Sequence, residues 1–165
     1  MPKIDMKAAQ TVVGTLYPPP YDKPCRPRVR QKLGDAANLD QFGVNLLTLP
    51  PGAWSSQRHW HTKEDEFVYV LEGEVTLETE AGEELLRAGE CAGFKAGDPN
   101  GHCLKNLSGK VALVLEVGTR AKGGDVVYYA DLDMMTAPDD AEFPYQHRDG
   151  TPYESKERRT PETAG

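Results

Sequence analysis

HWHTKEDEFVYVLEG, residues 59–73, sets two histidines one residue apart and three acids within the next five positions, just ahead of a run of Phe, Val, Tyr, Val and Leu. The chain has only four histidines, so this pairing in a β-prone stretch asks for a reason. Side chains two apart on a strand share a face. If SSQRHWH (55–61) is extended, His59 and His61 project together and Trp60 points the other way. The same alternation puts Glu66, Val68 and Val70 on one face and Phe67, Tyr69 and Leu71 on the other. A hairpin-like connection through 62–65 then brings Glu66 beside the two imidazoles. Two neutral imidazoles and one carboxylate make a divalent-metal site with open positions. Tyr69, facing outward, reads as a packing or interface residue.

Outward from this stretch the chain is a series of short β-rich segments. FGVNLLTL, EFVYVL, EVTLETE, VALVLEV and DVVYYA are separated by turns such as PPG, EAGEE, AGDPNG and KGGD. No segment among them keeps a helical apolar period, so the fold class is all-β, a sandwich or barrel. Residues 1–24 read as an N-terminal arm, because Pro18-Pro19-Pro20 can continue neither a helix nor an interior strand. The barrel is expected over 25–130 and a C-terminal extension over 131–165. Within that extension Met134, Met135, Phe143 and Tyr145 are worth burying, and TPYESKERRTPETAG, from Thr151, reads as a mobile tail.

A second cluster lies at GECAGFKAGDPNGHCLKN, residues 89–106, where His102, Leu104 and Asn106 share a face behind a Gly-rich turn. It adds a third histidine from a distant strand. Together the two stretches resemble the two signature motifs of the cupin superfamily: Gly52…His59-X-His61…Glu66…Gly73 and Gly89…Gly97…His102…Asn106. The second departs from the pattern with Lys95 where a proline is usual and with a longer turn before His102. The resemblance implies a cupin jelly-roll barrel of two facing antiparallel sheets. It also implies one divalent metal ion (Zn, Mn, Fe or Ni) on His59, His61, Glu66 and His102. Glu64 and Asp65 compete with Glu66 on proximity alone. Glu66 is preferred for its spacing to Gly73 and its phase with Val68 and Val70.

Four protein ligands leave a six-coordinate ion about two open positions. These suit the adjacent oxygens of a small metabolite, and some of the small single-domain bacterial cupins that the chain resembles carry a sugar-phosphate isomerase description. The expected function is therefore a metal-dependent, isomerase-like enzyme for a small oxygenated metabolite. An Fe(II) dioxygenase and a non-catalytic binding or sensing module are its rivals. Substrate contacts are expected from Gln57, in phase with His59; from Lys95, ahead of the second motif; and from Arg28 and Arg30. The last two belong with Arg26 to a period-two basic row in CRPRVRQKL. His147 lies outside the barrel region and reads as an ordinary exposed histidine.

Composition narrows the partners. The net charge of −7 argues against a generic nucleic-acid binder. No apolar run approaches the ~20 residues that cross a bilayer, and MPKIDMKAAQTVV lacks the features of a signal peptide. The three cysteines, Cys25, Cys91 and Cys103, have no paired spacing and fit reduced thiols in the cytoplasm. A helix-turn-helix would mark a cupin-type transcription regulator, and none is visible in residues 1–24, which are short and Pro-rich. A homodimer is expected, with the arm or the strand over 26–33 covering a neighbour's sheet edge.

Overall fold

The computed structural model describes residues 3–161. Thirteen strands follow one another: β1 (Thr11–Val13), β2 (Val29–Lys32), β3 (Phe42–Leu49), β4 (His59–His61), β5 (Glu66–Glu72), β6 (Glu74–Thr79), β7 (Gly82–Arg87), β8 (Cys91–Phe94), β9 (Cys103–Lys105), β10 (Ala112–Thr119), β11 (Val127–Tyr129), β12 (Met135–Thr136) and β13 (Tyr145–Gln146). The helical elements are short, a 3-10 turn at Lys23–Cys25 and a single α turn, α1, at Leu33–Ala36. Six strands form one antiparallel sheet in the order β1-β2-β3-β10-β5-β8. The second wall is made of two smaller sheets, β13-β12-β11-β4 and β7-β6-β9. A single bridge between His59 and His102 joins these two.

Alternation decides what each strand buries. On the six-stranded sheet, Val70 lies beside Val114, which lies beside Leu47, and all three are buried. They pack against Val75, Leu77, Leu86 and Leu104 of the three-stranded sheet to make the main core. A second apolar cluster centres on Tyr17, Cys25, Tyr129 and Met134, with Tyr21, Tyr145 and Tyr153 against it. Here the N-terminal arm and the C-terminal extension meet: both fold back on their own barrel.

The strand expected over 55–61 is extended only at His59–His61. Ser55 and Ser56 are buried in bends, where the Ser55 hydroxyl accepts the Leu104 N–H at 3.0 Å. The C-terminal tail also differs from its expectation as far as it is described. Tyr153 packs in the second cluster, and Arg159 exchanges backbone hydrogen bonds with Thr15 at 2.7 and 3.0 Å. Residues 162–165 of that tail lie outside the described residues. Gly14 makes this contact possible. Its φ is +83°, and a Cβ there would sit 2.0 Å from the Arg159 carbonyl oxygen.

Candidate metal centre and cavity

The metal candidates reach one point from three places. β4 supplies His59 and His61, β5 supplies Glu66 and the residue just before β9 supplies His102. β4 and the His102 segment are zipped together, His102 N–H donating to the His59 carbonyl at 2.8 Å and His59 N–H returning the bond at 3.1 Å. Gly101 allows this approach, because a Cβ there would lie 2.8 Å from the Ala130 Cβ. Phe94 stacks on the His102 ring at 3.5 Å between centroids and fixes its plane.

Glu66 Oε2 is the meeting point. It lies 2.9 Å from His102 Nε2, 3.3 Å from His61 Nε2 and 3.6 Å from His59 Nε2. The donor atoms of His59, His61 and Glu66 all fall within 4.8 Å of one another. Two Nδ1 atoms are committed elsewhere: His59 Nδ1–H donates to the Gln57 carbonyl at 3.0 Å and His61 Nδ1–H to Asp125 Oδ2 at 2.5 Å. Both rings are thereby turned with Nε2 inward, as carboxylate and carbonyl partners do for metal-binding imidazoles. Glu66 Oε2 itself is buried among these ring nitrogens, with no backbone or hydroxyl donor on it. That is costly for a carboxylate unless a cation completes it. An ion with bonds of about 2.1 Å spaces adjacent octahedral donors by about 3.0 Å, close to the separations found here. The residues fit a divalent ion.

The charge states are strongly perturbed without one. Burial pushes His59 down to about 3. Burial also pulls on His61, but the Glu66 and Asp125 carboxylates outweigh it and raise the ring to about 9. For Glu66, burial opposes ionisation, yet the neighbouring imidazoles of His102 and His61 hold it well below the usual carboxylate range.

The cluster sits in a cavity of about 400 Å³, a typical size for a small-molecule site. Its sheet wall is graded by register. Above the apolar Leu47–Val114–Val70 row comes Asn45–Glu116–Val68, and then Gly43–Gly118–Glu66, where two glycines leave space beside the carboxylate. Arg28, Arg30, Glu64, Ser55, Ser56 and three tyrosines, Tyr17, Tyr129 and Tyr145, add to the polar lining, as do Thr119 and Arg120.

The expected substrate contacts divide. Arg28 and Arg30 line the cavity. Arg30 is held bidentately by Glu116, at 2.7 and 2.9 Å. Arg26 does not join the row; it precedes β2 and pairs with Asp22 at 2.7 Å. Gln57 is not among the lining residues, since its side-chain amide donates to the Tyr21 carbonyl at 2.7 Å and its carbonyl serves His59. Lys95 points to Asp65 at 3.1 Å and borders a smaller pocket of about 140 Å³ behind the ligands, with Trp60 and Phe94. His147 bonds Asp133 at 2.9 Å and stacks on Tyr153, away from the cavity. Sequence reasoning missed Asp125, Glu116 and the tyrosines. Asp125 was visible only as the last residue of the KGGD turn, and Glu116 as the one acid inside the VALVLEV segment.

The comparisons agree with this architecture. The family model described as Cupin domain matches residues 45–118. A sugar phosphate isomerase of the cupin superfamily from Silicibacter pomeroyi has a solved structure 43% identical in sequence, with a TM-score of 0.85, covering 92% of this chain and 96% of its own. A candidate sugar phosphate isomerase from Acidithiobacillus ferrooxidans is 30% identical with a TM-score of 0.67, covering 74% and 77%. A polyketide cyclase from Streptomyces resistomycificus, 20% identical with a TM-score of 0.59 over 76% and 83%, shares the fold. A search of curated proteins finds no match. With motif, barrel and relatives in agreement, the chain belongs to the cupin superfamily.

Proposed function

We propose that this chain is a metal-dependent isomerase acting on a small, oxygenated, anionic metabolite of the sugar-phosphate class. The observation that carries the reading is the convergence of His59, His61, His102 and Glu66 beside a polar cavity that also holds Arg28 and Arg30. The 43% identity to a protein described as a sugar phosphate isomerase supports it. A divalent ion on these ligands would polarise a substrate carbonyl and acidify the neighbouring C–H.

The chain's own residues supply the rest. Isomerisation moves a proton between adjacent carbons, so it needs a base within reach. Three carboxylates line the cavity, Glu64, Glu66 and Glu116. Glu66 is a ligand candidate and Glu116 is tied to Arg30, which leaves Glu64 for the proton. One Glu64 oxygen is anchored by the Ala121 N–H at 2.8 Å. Burial pushes the phenols of Tyr17 and Tyr129 well above their ordinary value, so they stay protonated and act as hydrogen-bond donors. The cysteines are free, which supports the cytoplasmic reading, and no helix among the described residues is long and apolar enough to cross a membrane.

The test is turnover of an aldose- and ketose-phosphate panel by metal-stripped protein reloaded with Mn(II), Zn(II) or Ni(II) under anaerobic conditions. Interconversion is expected. Turnover only with Fe(II) and O₂ uptake would make the protein a dioxygenase. Tight retention of a small molecule without turnover would make it a binding cupin.

We also propose a homodimer. β1 pairs with its own β2, so the strand over 26–33 is interior, and β1 of the arm is the edge left to a neighbour. An apolar face offers a second route. The outer face of β5 leaves Phe67, Tyr69 and Leu71 exposed, with Val117 and Leu115 of β10 beside the first two. One flat apolar face can satisfy itself against a second copy across a two-fold axis. Light scattering at micromolar concentration should give twice the chain mass, and Tyr69→Glu should halve it with the metal retained. A monomeric mass for the unaltered chain rules the pairing out.

A further inference from the structure

Beside the metal cavity lies a smaller pocket of about 190 Å³ whose lining is basic throughout its charged positions. Val12, Gly14 and Leu16 come from the N-terminal segment and Arg28, Arg30 and Lys32 from β2 and its approach. Tyr145 and Arg158 come from the C-terminal extension. Among the described residues no acid lines it, although the protein as a whole carries a net charge of −7. Arg28, Arg30 and Tyr145 line the metal cavity as well, so the two spaces meet at these side chains.

The four cations are not equally compensated. Arg30 is neutralised by Glu116 at 2.7 Å, and Lys32 has Asp35 at 3.7 Å. Arg28 is buried, yet all its partners are neutral: the carbonyls of Gly14 and Ser55 and the Thr15 hydroxyl. These take three of the five guanidinium N–H groups. Among the described residues no carboxylate pairs with Arg28 or with Arg158. Arg158 is itself exposed, though partial burial and then the positive field of Arg28 push it below its ordinary range. For the buried Arg28 the missing counter-charge is unfavourable, and a bound anion relieves it.

We propose that this pocket is a phosphate subsite, in which Arg158 and Arg28 grip the phosphate monoester of a substrate whose oxygenated end enters the metal cavity. The proposal rests on the isomerase reading for the substrate's other end, but the anion site stands on its own residues. The charge count selects phosphate over carboxylate. Two uncompensated guanidiniums match a group carrying about −1.5 to −2 at neutral pH, and guanidinium forks bind phosphate oxygens in pairs. Because Arg158 arrives from the C-terminal extension, that extension becomes part of the binding site.

Inorganic phosphate titrated calorimetrically into the metal-stripped full-length chain tests this without any turnover. Saturable binding is expected, weakened at least tenfold by Arg158→Ala and less by Arg158→Lys, while Lys122→Ala, on a distant surface pair with Asp40, leaves it unchanged. Arg158→Ala should keep full metal content when reloaded, and His61→Ala should keep phosphate binding, so the two sites can fail separately. Acetate should compete weakly. An unchanged affinity in Arg158→Ala, no saturable binding up to about 10 mM phosphate, or acetate binding as tightly as phosphate would each overturn the assignment.

Discussion

Replacing His59 or His61 with alanine is expected to strip the metal and abolish turnover while the barrel stays folded. Each substitution removes a nitrogen from the cluster around Glu66 Oε2, whereas the main core of Leu47, Leu49, Val70, Val75 and Val114 lies on other strands and is untouched. Burial of that core, and not the ion, dominates stability, so melting temperatures should move little beside the loss of metal. Glu66→Gln removes the only negative ligand and should weaken binding by more than the roughly 10–100-fold typical of outer-shell changes. Glu64→Gln is the informative contrast. Its carboxylate stands with His61 and Asp125 in a second cluster that could in principle take an ion. Asp125 is already used, however: its oxygens accept His61 Nδ1–H, the Thr62 hydroxyl at 3.1 Å and the Lys63 N–H at 2.7 Å. Glu66 Oε2 has only the ring nitrogens of the proposed cluster against it. Glu64→Gln should therefore keep the metal and, as the proposed proton-transfer residue, lose turnover. Metal content of the four purified variants decides between the clusters. If Glu64→Gln comes out empty and Glu66→Gln full, the ion belongs to the second one.

The convergence of His59, His61, Glu66 and His102 was legible in the sequence because strand alternation is a strong constraint. A one-residue slip would turn Glu66 out and Phe67 in, so the Val68 and Val70 phase fixes the carboxylate. The same rule failed where the chain leaves the strand. Gln57 shares the parity of His59, but the bends at Ser55 and Ser56 break the alternation and the Gln57 amide is drawn to the Tyr21 carbonyl. β7, GEELLR, was not legible because its acids mask a strand exposed along most of its length. Asp125 and Arg158 are tertiary features. Each reaches its place across more than sixty residues of sequence from β4 or more than a hundred from β2, and local pattern carries no record of such pairings.

The metal affinity should rise about tenfold for each pH unit between 7 and 9 and flatten above about 9. The reason is a proton that must leave. In the metal-free protein His61 titrates at about 9, because the carboxylates of Glu66 and Asp125 more than offset its burial. At neutral pH its Nε2 therefore carries a proton where the ion would bind. Each unit below 9 then costs about 1.4 kcal/mol of apparent binding energy. His59, held down to about 3 chiefly by burial, is neutral across this window and adds no proton of its own. The sign is opposite for the stability of the metal-free protein. A raised His61 value contributes stability fully below the unfolded value of about 6.5 and loses it as pH rises through about 9. Both effects are the loss of the same His61 proton, which frees Nε2 and dissolves the competing imidazolium–carboxylate cluster in one step, so the slope is that of a single proton. Asp125→Asn removes one of the two carboxylates, so the rise should flatten at a lower pH even though plateau affinity falls. Chelator competition at half-unit pH steps, with proton release counted in unbuffered solution, measures both. An affinity that stays level from pH 7 to 9, or binding that releases no proton at pH 7, would mean that His61 is not the residue the ion displaces a proton from.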